Sequence, residues 1–474
     1  MKYTLAALLL VASLHASAQD SMKISGKINM PVVDSISVIY NNSKIMYDPK
    51  VYTAKLKGDG SFSMAFPTPS QDYTEATIKN GMRETDFFVS PGYDLTITAT
   101  GKTFDTSLHY KGQGSEVENF LARHAIESGR LNGFGNLVKP LMTYDSIKYV
   151  GALEHLKDRQ IAYMEKNGTG LPAPFRRYYT AYYTYYNYFF LMQYPIIHEM
   201  TKQNTRNITH VTHENYLVLH RMPYEFSDSF LNVTPYLLYV NNIFPSKLNE
   251  AGYTYENGDT IKQRKIEDSI AKLAYKHLPE KTSEYFFAQD LYAKARMQPV
   301  EKSRKELAFF KKNWRKSEYL PLLERQVGIA ERLAPGQPAP DFNITTETGM
   351  KMKLSDLKGH VVYLTFWSTS CKQCVGEMIS EKKMKDLMKD KPVSFVYVNL
   401  SDDTTAKKII DHYKVDGIFT AVHNSWQSKE VDDYGVQGLP SYYLIDEEGK
   451  FAMQVPPTPR QETELILAIG KLLK

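Results

Sequence analysis

Cysteine is nearly absent: the 474 residues hold two, Cys371 and Cys374. That excludes a disulfide scaffold and any four-cysteine metal site. Neither sign of charge dominates, since Lys+Arg 58 against Asp+Glu 53 leaves +5 spread along the chain, and no case for nucleic-acid binding follows. No apolar run reaches the ~20 residues that a bilayer crossing needs, so the chain does not read as membrane-spanning. What is present is ordinary globular composition, 42% hydrophobic and 23% charged, which excludes wholesale disorder and collagen-like sequence. At about 100 to 200 residues per domain the length implies roughly three domains.

The first 18 residues read as an export signal. Lys2 supplies a positive start, Leu5 to Leu14 an apolar core and Ala16-Ser17-Ala18 a small-residue cleavage site. The expectation is a mature protein that begins at Gln19 and works in the periplasm or cell envelope, where disulfides form and must be managed. No cysteine lies near the cut for lipid attachment.

Residues 19–113 alternate with period two in short runs, Ser35 to Tyr40, Ser61 to Phe66 and Asp94 to Ala99, separated by Gly58-Asp59-Gly60 and Pro91-Gly92. Such runs predict an antiparallel, β-sandwich-like domain. Residues 114–332 show apolar spacing of three and four and read as mostly helical. Phe175, Tyr178, Tyr179, Tyr182, Tyr185, Tyr186 and Phe189 form an aromatic stripe whose simplest role is core. His210 and His213 could share a metal, but without a zincin pattern no metal is expected. Lys302 to Lys316 reads as the solvated face of an amphipathic helix. Three prolines and a glycine in Leu333 to Pro340 predict a domain boundary. Strand and helix patterns alternate after it, over 333–474, as in an α/β unit.

The chemistry sits in Trp367-Ser368-Thr369-Ser370-Cys371-Lys372-Gln373-Cys374, where a buried strand turns into a helix. Unpaired backbone N–H groups and the dipole at a helix N-terminus favour a thiolate, and Lys372 adds positive charge. Cys371, at the tip, is the expected nucleophile; Cys374, one turn in, is expected to be shielded and to resolve the mixed disulfide. An inert buried disulfide or half of a metal site is the competing reading.

The segments Pro338-Ala339-Pro340-Asp341-Phe342, Leu354 to Gly359, Phe366-Trp367 ahead of the cysteines, Glu377, and Tyr434 to Pro440 leading into Leu444 to Gly449 resemble the TlpA-like thiol:disulfide oxidoreductases. These are thioredoxin-fold, AhpC/TSA-related proteins of the bacterial envelope. The resemblance covers about 333–474, and it implies a cis-proline at Pro440 that leaves the Leu439 backbone free to pair with a substrate strand. It also implies a functional carboxylate at Glu377, three residues after Cys374 on the same helical face, and a substrate contact at Trp367. No cofactor is implied. Ser370, the Lys372-Gln373 dipeptide and Thr365 depart from common patterns and bear on the redox potential. The β-rich segment in turn resembles a domain of unknown function that precedes thioredoxin-like modules, on turns such as Gly60-Ser61-Phe62 and Phe88 to Gly92.

The fold expected is therefore multidomain: an N-terminal antiparallel β domain, a central mostly helical region and a C-terminal α/β thioredoxin-like domain. The function expected is exported exchange with protein thiols or disulfides, reduction favoured over oxidation, sustained by a membrane or envelope electron donor or acceptor. Two other functions compete. A peroxiredoxin-like peroxidase would need proline at Leu364, although Ser368 fits its hydroxyl position. A partner-binding envelope protein would make the dithiol secondary.

Overall fold

The computed structural model describes residues 21–46, 48–129, 135–204, 211, 213–250, 260–346, 349–401, 405–422 and 425–473. The export segment and His210 lie outside the described residues. The chain forms two compact units, Met1–Phe286 and Phe287–Lys474.

The first unit opens with strands β1 (Ser21–Asn29), β2 (Ser35–Asn41), β3 (Pro49–Lys55), β4 (Ser61–Pro67), β5 (Thr74–Asn80), β6 (Arg83–Val89), β7 (Asp94–Thr100) and β8 (His109–Gln113). They form two four-stranded sheets, ordered β4-β1-β7-β8 and β3-β2-β5-β6. Alternation decides which side chains meet: Ile36, Val38 and Tyr40 of β2 bury with Leu95, Ile97 and Ala99 of β7 in a single core. One pairing departs from the antiparallel expectation, because β1 and β7 run parallel, Lys23 opposite Asp94. The chain passes through β5 and β6 of the other sheet before β7 enters beside β1, and alternation carries no record of strand direction. Gly26 allows the close approach there, since a Cβ on it would lie 1.9 Å from the Ile97 carbonyl oxygen.

Helices follow, among them Ser115–Glu127, Ser146–Asn167, Ala173–Gln203 and Thr234–Glu250. The aromatic stripe lies on Ala173–Gln203 and is core: Phe175, Tyr178, Tyr179, Tyr182, Tyr185 and Tyr186 are buried. Phe120 stands edge-on to Tyr179 at 5.4 Å between centroids.

The second unit carries the α/β arrangement. A short hairpin, β9 (Asn343–Thr345) and β10 (Lys351–Lys353), precedes β11 (Val361–Trp367), β12 (Val393–Asn399), β13 (Ile418–Ala421) and β14 (Ser441–Ile445). The sheet order is β13-β12-β11-β14, with β12 parallel and β14 antiparallel to β11. All seven residues of β11 are buried because both faces of this central strand are covered. Leu364 and Phe366 point into one cluster, Tyr363 and Trp367 into the other beside Cys374 and Met378.

The division between the two compact units, at 286/287, lies ahead of the proline-rich run where the composition changes. Ile329 and Leu333 bury in the same cluster as Val362, Phe366 and Tyr434, so Val300–Asn313 and Leu320–Arg332 belong to the α/β unit. The proline-rich run is fastened rather than free: Gly336 N–H donates to Phe451 O at 2.8 Å and Ala339 N–H to Gly449 O at 2.9 Å. A fragment 287–474 is expected to unfold at higher urea than a fragment 333–474, by about 1.5–3 kcal/mol for Ile329 alone. Equal midpoints and slopes for the two fragments would restore the later boundary.

Candidate active site

The dithiol is placed by the end of β11. Leu400 N–H donates to Trp367 O at 2.9 Å and Cys371 N–H to Ser368 O at 3.1 Å. The Thr369 N–H donates to Ser401 Oγ at 2.8 Å. This tight turn delivers Cys371 in extended conformation to the N-cap of the helix Lys372–Ser380, and its Sγ accepts the Cys374 N–H at 3.1 Å. The two cysteines are joined by a disulfide with Cα atoms 5.3 Å apart. Cys371 keeps exposed surface, Cys374 is buried and Lys372 is exposed.

Glu377 is 2% exposed and held from several sides. Its Oε1 accepts Gln373 Nε2 at 2.8 Å and its Oε2 accepts the Tyr442 hydroxyl at 2.5 Å. The Arg460 Nε stands 3.5 Å from Oε1. A solvated helix glutamate would have none of this enclosure. Burial first, then the bond to Glu377, pushes the Tyr442 hydroxyl far above its ordinary value, so Tyr442 stays protonated as a donor.

The Leu439–Pro440 peptide is cis. Phe366 lies opposite Ser441 in the β11–β14 register, which brings this loop beside the end of β11. Leu439 is half-buried and packs on the cluster that includes Cys371 and Cys374.

Trp367 stands differently from the expectation. Its accessible surface is 0%, so the ring forms part of the floor under the dithiol, with no exposed surface of its own. A strand covered on both faces leaves its last residue no other course. Among the described residues its Nε1 and the Thr365 Oγ1 are buried without a hydrogen-bond partner.

The sequence reading passed over a second buried carboxylate, Glu381, one turn beyond Glu377. Its Oε2 accepts the Tyr397 hydroxyl, and the Lys385 Nζ lies 3.6 Å away. Burial pushes this carboxyl up to about 7 against the pull of Lys385 and Tyr397, and the charge on Glu377 adds to the rise. The signal available was the spacing Glu377, Glu381, Lys385, four residues apart along the helical stretch. Among the described residues no group of three or more His, Cys, Asp or Glu side chains could hold a metal, and no helix is long and apolar enough to cross a membrane.

A central parallel strand that ends in a helix-capping Cys-x-x-Cys, faced by an X-Pro turn leading into an antiparallel strand, defines a thioredoxin-like oxidoreductase. Residues 334–464 match the Redoxin family. The thiol-disulfide oxidoreductase ResA of Bacillus thuringiensis (strain Al Hakam) is 34% identical over 126 residues, 26% of this chain and 71% of that protein. The thioredoxin-like protein YneN of Bacillus subtilis (strain 168) is 34% identical over 132 residues, 28% of this chain and 74% of that protein. The solved thioredoxin domain of a thiol-disulfide oxidoreductase from Bacteroides vulgatus is 24% identical, with a TM-score of 0.27, and covers 30% of this chain and 99% of that one. The chain belongs to the TlpA-like thiol:disulfide oxidoreductases.

Proposed function

We propose that this protein is an exported reductase of protein disulfides, with Cys371 as nucleophile and Cys374 as resolving thiol. The observation that carries the reading is the asymmetry of the pair: Cys371 is partly exposed at a helix N-terminus, while Cys374 is buried one turn in, ahead of the enclosed Glu377. The Cys371 thiolate attacks one sulfur of the substrate, the substrate S–S bond breaks and its other sulfur leaves as a thiolate. Glu377 takes the Cys374 proton. Cys374 then attacks Cys371 Sγ, the second substrate thiolate leaves and the Cys371–Cys374 disulfide closes. Two electrons pass to the substrate, and a dithiol donor of the envelope returns them. The Leu439 backbone pairs with the substrate strand, and Pro440 shapes that edge. Export rests on the residues Met1 to Ala18.

Equilibration of the full chain against a dithiothreitol buffer tests the direction. A potential near thioredoxin's ~−270 mV with catalysed insulin reduction is the expected result, and a value near about −120 mV would make the protein an oxidant instead.

A further inference from the structure

The redox unit contains three helical pieces that precede its sheet: the end of Glu280–Lys294, then Val300–Asn313 and Leu320–Arg332. They lie ahead of residue 334, where the family match begins. Arg296, in the turn after the first of them, and Gln326 and Ile329 of the last meet one segment, Tyr434 to Gln437, which runs directly into Leu439 and Pro440.

Four contacts define the clasp. The Arg296 Nη1 donates to the Gly435 carbonyl at 2.6 Å. Its Nη2 lies 3.5 Å from the Tyr443 hydroxyl, which itself donates to the Tyr434 carbonyl at 2.6 Å. The carboxamides of Gln326 and Gln437 bond reciprocally at 2.7 and 3.4 Å, with Gln326 buried. Gly435, at φ +58°, admits Ile329 so closely that a Cβ there would stand 2.4 Å from the Ile329 Cγ2. A charged donor on a backbone carbonyl and a buried paired amide are costly to break, because each leaves a polar group stranded.

We propose that Arg296, Gln326 and Ile329 are positioning residues that hold the Gly435–Pro440 segment in place for a protein substrate strand. The inference rests on the reductase reading above. A protein disulfide must lie along this edge while Cys371 attacks, and disorder in the edge would have to be frozen out on binding. A small disulfide needs only the exposed sulfur. Arg296 and the helix Leu320–Arg332, ahead of the family region, therefore act on substrate selection, through the loop, and not on the sulfur chemistry.

The full chain carrying Arg296→Ala is expected to show a KM for insulin raised about fivefold or more, with kcat nearly unchanged. Its kcat/KM for hydroxyethyl disulfide should stay within about twofold of wild type and its dithiol potential should not move. Arg296→Lys, which keeps a cationic donor, should recover most of the insulin KM, and Gln326→Leu should behave as a milder Arg296→Ala. Hydrogen exchange at the non-proline amides of 436–442 should quicken in Arg296→Ala while the helix 405–413 exchanges as before. Equal losses on insulin and the small disulfide without rescue by Lys would make the role merely structural and overturn the proposal, as would unchanged exchange at 436–442. A wild-type protein inert on insulin would overturn the reductase reading alone, and exchange then decides the clasp by the same criterion.

Discussion

Replacing Cys371 by Ser is expected to remove disulfide reduction by at least about a thousandfold, since without the attacking sulfur no covalent step begins. Replacing Cys374 by Ser is expected to stop turnover as well, yet with a different residue of the reaction left behind. Cys371 keeps its place at the helix N-terminus, beside the exposed Lys372, so attack proceeds and the mixed disulfide has no internal thiol to resolve it. Incubation of each variant with insulin, followed by non-reducing separation and mass measurement, distinguishes the roles. Cys374→Ser should accumulate a covalent adduct and Cys371→Ser should show none. Equal trapping by both variants would mean that the buried sulfur reaches substrates, which contradicts the burial of Cys374 against Met378 and Trp367. Failure of both to trap would shift weight toward partner binding by the first unit.

The dithiol turn was legible because each of its causes is local. A run such as Val361 to Trp367 has no polar face to show to water, so it must be a central strand, and a cysteine that follows it caps the next helix. Val393–Asn399, the other inner strand, follows from the same logic. Strand Ile418–Ala421 escaped the reading because four residues at a sheet edge give no periodicity to count. The parallel β1–β7 pair escaped because direction is fixed by the path of the chain and not by alternation. Composition at Pro335 to Pro340 gives no sign that Ile329, ahead of the run, packs with Val362 and Tyr434 beyond it. Likewise the proximity of Glu377 to the dithiol was reachable from its spacing to Cys374, whereas the contacts of Arg296 with Gly435 join residues 139 positions apart.

Glu381 should make the protein's stability depend on pH, and the sign follows from its surroundings. The carboxylate is enclosed where Lys382–Met388 follows Lys372–Ser380, and one of its oxygens, Oε1, is buried without a hydrogen-bond partner among the described residues. Around it stand the Tyr397 hydroxyl, the Lys385 ammonium at 3.6 Å and, one turn back, the like-charged Glu377. Lys385 is only partly available as a counter-charge, because it also donates to the Asp416 carbonyl and lies over the rings of Tyr397 and Phe395. Burial dominates and raises the carboxyl from 4.5 to about 7 in the folded protein. The folded state thus holds this proton more tightly than the unfolded chain, so stability is full below about pH 4.5 and declines as pH rises through 7. At 1.36 kcal/mol per unit the decline between pH 5 and pH 8 amounts to about 2–3 kcal/mol. Glu381→Gln keeps a carbonyl to accept the Tyr397 hydroxyl and carries no charge, so its urea unfolding should lose that part of the slope and overtake wild type above pH 7. Parallel pH profiles for the two proteins would show that Glu381 ionises as freely in the folded chain as in the unfolded one, and that water reaches the space beneath the dithiol helix.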